Sequence, residues 1–299
     1  DECILNFTGG TKIMSVASFN LFSQKDLTSV YVDTENRDFL IFKGDKYDGK
    51  TEINCNISSE AYLKIHGQKI VFEMPGNDKT TEDKLIRCSQ FLVSNFNVFE
   101  TFLINFAKKN PKPKENETII FGDDFKNHPV IKGSNISYIN NTSQITLFKN
   151  GNKVLSEKMD GIDFINFLRG IWFEKACFMK IEEMKIFDSV KLNGTVKRKD
   201  RNISQFKKDK NEFDIFALKG IYPFLFECKS GYVSNEHIDK LASIKSSYLG
   251  RYSDIFFITN TKISENKNLE KLKDKRIRHI TYDELDSLKE IINKVHQNL

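Results

Sequence analysis

The sequence predicts an α/β protein, and three observations carry that prediction. The chain opens in strand, helix, strand order. Further on, two strand-forming runs, Asn211-Glu212-Phe213-Asp214-Ile215-Phe216 and Phe224-Leu225-Phe226-Glu227-Cys228-Lys229, are separated by Lys219-Gly220 with Pro223 near the turn, which reads as a β-hairpin. Beyond that hairpin, short apolar runs alternate with amphipathic helical spacing, the pattern of a sheet backed by helices.

Taken in order, the segment Asp1-Glu2-Cys3-Ile4-Leu5-Asn6-Phe7 begins directly on a strand, without an initiator Met or a charged-then-apolar signal peptide. It looks like the middle of a fold, so an N-terminal portion is expected to lie outside this sequence. Thr8-Gly9-Gly10-Thr11-Lys12 follows, then Ile13, Val16, Ala17 and Phe19 to Phe22 at helical spacing. Small residues before a helix start leave backbone N–H groups free to meet an anion, and the helix dipole favours negative charge there. A tight structural turn explains the same residues equally well, and the Gly-x-x-x-x-Gly-Lys-Ser/Thr phosphate loop is absent. Ser29 to Val32 and Phe39 to Phe42 read as strands around a turn at Thr34 to Arg37, giving part of an open α/β sheet.

In the middle, Ser59 to His66 reads as a short helix capped by Ser58 or Ser59 and stopped by Gly67. Thr81 to Lys109 reads as two helices broken near Asn95, with an aromatic stripe that belongs to a core. Lys108 to Asn116 reads as an exposed connection. Residues 118–157 alternate short apolar runs with Gly and Asn, with a hairpin signal at Asn150-Gly151-Asn152. Residues 161–184 have helical periodicity, as one helix or two abutting ones. Glu174 stands there on an apolar face, where an unpaired carboxylate is costly. It reads either as a functional carboxylate or as the edge of the apolar stripe.

After the hairpin come a helix from Ser234 to Tyr248 ending at Gly250, a buried strand from Asp254 to Thr259, a short helix from Asn268 to Asp274 and a strand from Arg276 to Ile280. A final helix runs from Tyr282 to His296 with Asp283 and Glu284 in its first turn. Lys240, Lys245 and Arg251 are best read as a solvated face.

At 299 residues, 39% of them hydrophobic, the chain has room for two or three domains. No apolar run approaches a membrane span, so a soluble protein is expected. Cys3, Cys55, Cys88, Cys177 and Cys228 are odd in number and scattered, which predicts reduced core residues in a cytoplasmic protein. The five histidines lack zinc spacing. Of the net charge of +5, from 46 basic and 41 acidic residues, residues 197–210 contain the whole excess, with seven basic side chains against Asp200 and Asp209. With Phe206 available to stack on a base, this segment reads as a phosphate-binding loop or equally as a solvated one.

The hairpin carries the chemistry. Strand alternation puts Glu227 and Lys229 on one face, and an even loop count would bring Asp214 to the same side. Two carboxylates and an ammonium then converge, hard oxygen ligands for a divalent cation beside a group that steers water or offsets developing charge. A solvated Glu-x-Lys salt bridge is the plain alternative. The spacing Asp214-x12-Glu227-x-Lys229 resembles the PD-(D/E)xK nuclease core, with Phe213 where that name has Pro.

Three stretches together resemble one family, the CRISPR ancillary nucleases that join a cyclic-oligoadenylate-sensing CARF domain to a PD-(D/E)xK nuclease. They are Asn6-Phe7-Thr8-Gly9-Gly10-Thr11-Lys12-Ile13-Met14, Gly170-Ile171-Trp172-Phe173-Glu174, and Asn211 to Asp214 with Phe226-Glu227-Cys228-Lys229-Ser230. Weaker similarity covers Glu60 to Gly67. The resemblance implies the C-terminal part of a Rossmann-like CARF sheet over 1–58, a small mixed connecting module over 59–157 and a restriction-endonuclease-like α/β domain over 158–299. It implies that Asn6, Thr8, Gly9, Gly10, Thr11 and Lys12 line a site for cyclic oligoadenylate, tetra-adenylate above all, at a homodimer interface. It also implies that Glu174, Asp214 and Glu227 bind Mg²⁺ or Mn²⁺, while Lys229 serves the hydrolytic water and scissile phosphate. The activity implied is messenger-activated, metal-dependent cutting of single-stranded DNA or RNA in type III CRISPR antiviral defence, in a prokaryotic cytoplasm. Two other functions fit the residues, a restriction or repair nuclease without messenger control and a non-catalytic nucleic-acid-binding sensor. The family's Gly-Gly-Trp is Gly170-Ile171-Trp172 here, and the first strands and helices of its sensory fold have no counterpart.

Overall fold

A computed structural model describes residues 3–9, 11–33, 36, 38–53, 55, 57–65, 69–72, 79–100, 103, 117–120, 130–139, 142–160, 167–197, 212–231, 233–249, 253–263 and 266–297. They fall into two units, one of Asp1–Ile57, Gly220–Tyr222 and Ser287–Leu299, the other of Ser58–Lys219 and Pro223–Asp286.

In the first unit, strand β1 (Leu5–Asn6) leads through a short loop into helix α1 (Lys12–Gln24), and β2 (Thr28–Asp33), β3 (Asp38–Lys43) and β4 (Lys46–Glu52) follow. The sheet order is β1-β2-β3-β4. Only β1 and β2 are parallel, as a strand-helix-strand crossover requires, while β2, β3 and β4 form an antiparallel meander. Phe7 packs on Phe19 of α1 and Phe42 of β3, with ring centroids 4.9 and 5.7 Å apart. The sequence Lys-Tyr-Asp-Gly-Lys-Thr-Glu of β4 carries no apolar alternation because it is an edge strand that is mostly exposed. No α1 side chain is buried, and Ile13, Met14, Val16 and Leu21 are 82, 62, 61 and 52% exposed.

The second unit is built on a six-stranded sheet. Its strands are β5 (Lys69–Phe72), β10 (Ser189–Lys197), β11 (Glu212–Lys219), β12 (Tyr222–Lys229), β13 (Asp254–Thr259) and β14 (Ile277–Thr281), in the order β14-β13-β12-β11-β10-β5. The β12, β13 and β14 strands run parallel, whereas β10 is antiparallel to both β11 and β5. All six residues of β13 are buried, as expected of a parallel strand covered on both faces. A separate antiparallel sheet joins β6 (Glu117–Ile120), β7 (Asn135–Ile139), β8 (Thr142–Lys149) and β9 (Asn152–Asp160). Its last hairpin turns on Asn150 and Gly151, whose φ values of 53° and 79° are those an Asn-Gly turn supplies.

Helices α2 (Ser59–Ile65), α3 (Lys79–Ser94), α4 (Trp172–Glu183), α5 (Asn235–Ile244), α6 (Asn266–Asp274) and α7 (Leu288–Gln297) complete the chain in order, α7 being grouped with the first unit. Ser58 accepts the Ala61 N–H at the start of α2. The chain turns at Asn95 and is helical again over 96–100, so the expected break is present. Phe96 and Phe99 are core residues, while Phe102 and Phe106 lie outside the described residues.

Several expectations are sharpened or corrected. Of the two forms expected over 161–184, the described residues take the second, a π-turn (Phe167–Ile171) abutting α4 with non-helical backbone at Gly170. The helix expected from Tyr282 starts as a 3₁₀ turn (Asp283–Ser287). Pro223, near the turn as expected, is the second residue of β12, the turn itself being formed by Gly220, at φ 60°, and Ile221. Proline is tolerated there because the pairing of β12 with β13 begins one residue later, at Phe224 opposite Asp254. All five cysteines are free, but only Cys88, Cys177 and Cys228 are buried, Cys3 and Cys55 being exposed. The basic segment from 198 to 210, with Phe206, lies outside the described residues, as do Gly10, Gly67, Arg251 and residues 108–116.

Candidate active site

The site is assembled on the β11–β12 hairpin. Asp214 lies five positions before the last residue of β11, and Glu227 five positions after the first residue of β12. A two-residue turn therefore puts the two carboxylates on one face of adjacent strands. The flanking Phe213, Ile215, Phe226 and Cys228 are all buried. Glu227 is itself 1% exposed, and a carboxylate held there needs compensation. Lys229 provides it, with Nζ 2.9 Å from Glu227 Oε1 and 3.7 Å from Asp214 Oδ2. The Cys228 backbone N–H donates to Asp214 Oδ2 at 2.7 Å, fixing that carboxylate against the hairpin.

Glu174 reaches the same region from the first turn of α4. Trp172, Phe173, Ala176, Cys177 and Ile181 of that helix are buried, as is Lys175, which pairs with Glu82 of α3. Glu174 and Asp214 line one cleft of about 380 Å³ together with Ile171, Asn193, Gly194, Thr195, Glu212 and Phe213. Burial, with the charges of Glu227 and Glu174, lifts the Asp214 carboxyl well above its ordinary value, against the pull of Lys229. Burial likewise lifts Glu174, with Lys229 opposing and Glu227 reinforcing. Burial would lower Lys229, but Asp214 and Glu227 hold its ammonium above its ordinary value.

These groups suit a divalent cation. One buried oxygen, Glu227 Oε2, has no hydrogen-bond partner, and the clustered carboxylates are short of positive charge. Among the described residues no three His, Cys, Asp or Glu side chains come together closely enough to cage an ion. Mg²⁺ is commonly held by one or two carboxylates, with water and phosphate oxygens in its remaining positions.

The cleft also contains residues that the sequence did not mark. Strand β10 contributes Asn193, Gly194 and Thr195, and Asn193-Gly194 is a tight-turn dipeptide that disguises a strand running through it. Gly194 is required because a Cβ there would overlap the buried ring of Phe213. Glu212, two residues before Asp214 on β11, adds a further carboxylate.

The N-terminal loop has a different character. Asn6 Oδ1 accepts the Thr8 N–H at 3.1 Å, Thr8 Oγ1 accepts the Val32 N–H at 2.6 Å, and Thr11 caps α1 by accepting the Met14 N–H at 3.3 Å. The Ser15 hydroxyl donates to the Gly9 carbonyl at 2.9 Å, a contribution the sequence did not signal. No described residue crowds the position of a Cβ at Gly9, and Lys12 is exposed at the start of α1. Four polar side chains, those of Asn6, Thr8, Thr11 and Ser15, thus shape the loop.

A family model described as the Card1 CARF domain matches residues 1–62, and one described as the Card1-like endonuclease domain matches residues 163–299. No curated protein matches the chain. Among solved structures, the protein VC1899 from Vibrio cholerae is similar with a TM-score of 0.72 and 16% identity, over 99% of this chain and 76% of that one. Can2 from Sulfobacillus thermosulfidooxidans, solved in complex with cyclic tetra-adenylate, is similar with a TM-score of 0.64 and 19% identity, over 98% of this chain and 76% of that one. At such identities these likenesses speak to the fold.

Proposed function

This chain belongs to the family of nucleases fused to a CARF domain, and from that premise we propose that it cuts single-stranded nucleic acid with a divalent cation when cyclic tetra-adenylate binds its N-terminal loop. The observation that carries the catalytic half is the buried, half-unsatisfied Glu227 carboxylate beside Asp214 and Lys229. Glu227 Oε2 and the carboxylate of Asp214 would hold the cation, with Glu174 across the cleft. A cation bound there supplies Lewis acidity at the phosphoryl oxygens and lowers the pKa of water. The Cys228 N–H keeps Asp214 from turning away. The Lys229 ammonium, held charged by its neighbours, faces the negative charge that develops on the scissile phosphate.

The messenger half is supported by the open Gly9 backbone and by Lys12 at the α1 N-terminus, where an anion meets both a cation and the helix dipole. The apolar face of α1 (Ile13, Met14, Val16 and Leu21) supports a homodimer through this unit, since a contiguous exposed apolar patch marks an interaction surface. Activator would then shift a two-state arrangement by its differential affinity for the two states. Lys229→Ala is expected to abolish cutting while leaving binding of cyclic tetra-adenylate intact by calorimetry. Retained cutting would remove Lys229 from the reaction.

A further inference from the structure

Asn193 occupies a position that strand structure alone does not explain. It lies in the interior of β10 with φ 54°, in the left-handed region that ordinary side chains avoid and that a regular strand never needs. In β10, Leu192 stands opposite Ile215 and Gly194 opposite Phe213, so Asn193 sits directly across from Asp214. It lines the cleft with Glu174, Glu212 and Asp214. Its side-chain amide makes no hydrogen bond among the described residues, although Asn is a residue that commonly bonds its own backbone in this conformation.

The lining of the cleft makes the chemistry specific. Glu174, Glu212 and Asp214 repel a phosphodiester where no cation offsets them, and among the described residues that line the cleft there is no Lys or Arg, the nearest ammonium to Asp214 being Lys229 at 3.7 Å. Among the described lining residues the neutral side-chain donors are the Asn193 amide and the Thr195 hydroxyl, and Thr195 is 8% exposed. An anionic strand entering beside three carboxylates requires a donor that does not itself attract them.

We infer that Asn193 is a substrate-binding residue, donating from Nδ2 to a backbone phosphate oxygen of the nucleic-acid strand next to the Asp214 carboxylate. The inference rests on the nuclease reading above.

Two variants separate this role from a backbone role. Asn193→Gly keeps the conformation, which glycine adopts without strain, and removes the amide. Asn193→Asp also tolerates the conformation but replaces the donor with a fourth negative charge. Binding of fluorescein-labelled single-stranded DNA, and of RNA of the same sequence, is read by anisotropy with Ca²⁺ in place of Mg²⁺. Thermal midpoints and cleavage are measured on the same full-length samples, with Glu227→Gln alongside. Asn193→Gly is expected to keep the wild-type midpoint and to bind about 10- to 100-fold more weakly, and Asn193→Asp, whose charge joins the crowded carboxylates, to lose about 2–4 °C and bind at least as weakly. Wild-type binding by Asn193→Gly, with wild-type cleavage intact, would overturn the inference and leave the nuclease reading standing. Should Asn193→Gly fail to fold, wild-type binding by Asn193→Asp overturns it in the same way. A wild-type protein that neither binds nor cuts either strand would sink both.

Discussion

Replacing Glu82 with Gln strips the Lys175 ammonium of the carboxylate that faces it across the α3–α4 contact. Lys175 is 2% exposed and Glu82 is 35% exposed, so the two partners lose very different amounts when the pair is broken. Removing one member of a buried ion pair costs about 3–5 kcal/mol, because the survivor stays buried and uncompensated. In Glu82→Gln the amide oxygen still accepts one hydrogen bond, which places the expected loss at the low end, ~2–3 kcal/mol. Lys175→Met keeps most of the volume and removes the charge, while Glu82, already in contact with water at the first turn of α3, is rehydrated. That variant should lose at most ~1 kcal/mol, and the double variant should recover most of what Glu82→Gln lost. In thermal unfolding of the full chain by circular dichroism, the midpoint of Glu82→Gln should fall by about 5–10 °C and that of the double variant by much less. Equal losses for the two single variants, or a double variant that loses their sum, would refute the reasoning. Because Lys175 adjoins Glu174 on α4, the same pair fixes the helix that supplies the cleft's carboxylate.

Three further outcomes follow from the geometry. Asp214 and Glu174 have folded-state values raised above their ordinary 3.8 and 4.5, so the stability they lend is complete below those values and is lost as pH rises through the raised ones. With EDTA present, Asp214→Asn should therefore raise the midpoint by about 2–4 °C near neutral pH and have little effect at about pH 4, while abolishing cutting; a lowered midpoint near neutral pH would contradict the carboxylate crowding. Gly194→Ala should cost about 1–3 kcal/mol by urea unfolding, because the added methyl meets the buried Phe213 ring, and Phe213→Leu should restore part of it. Lys12→Ala should raise the cyclic tetra-adenylate concentration for half-maximal activation by about 10- to 100-fold, and an unchanged dose response would remove Lys12 from the pocket.

Much of the β11–β12 hairpin was legible because strand alternation is a strict period of two. Glu227 and Lys229 had to share a face, and a two-residue turn brought Asp214 to it. Ser58 was readable as a helix start for a similarly local reason, a side-chain oxygen placed to meet an orphan N–H. The rest depended on distant partners. Strand β5 pairs with β10 across more than a hundred residues of sequence, from Lys69 opposite Lys197 to Phe72 opposite Gly194, and neither strand announces the other. Asn193-Gly194 carries a local turn signal that tertiary pairing overrides. Lys175 and Glu82 are 93 positions apart, and nothing local distinguishes Lys175 from a solvated helix lysine. The polar β4 strand escaped notice because an edge strand need not alternate.

The central claim is that one chain couples messenger binding to metal-assisted cutting, and the most direct measurement is cleavage of end-labelled single-stranded DNA and RNA by the full-length protein with Mn²⁺. The assay is run with and without cyclic tetra-adenylate and with Glu227→Ala alongside. Cutting that requires both the messenger and Glu227 is the predicted result. Cutting that ignores the messenger would contradict the coupling, and cutting that survives Glu227→Ala would contradict the site.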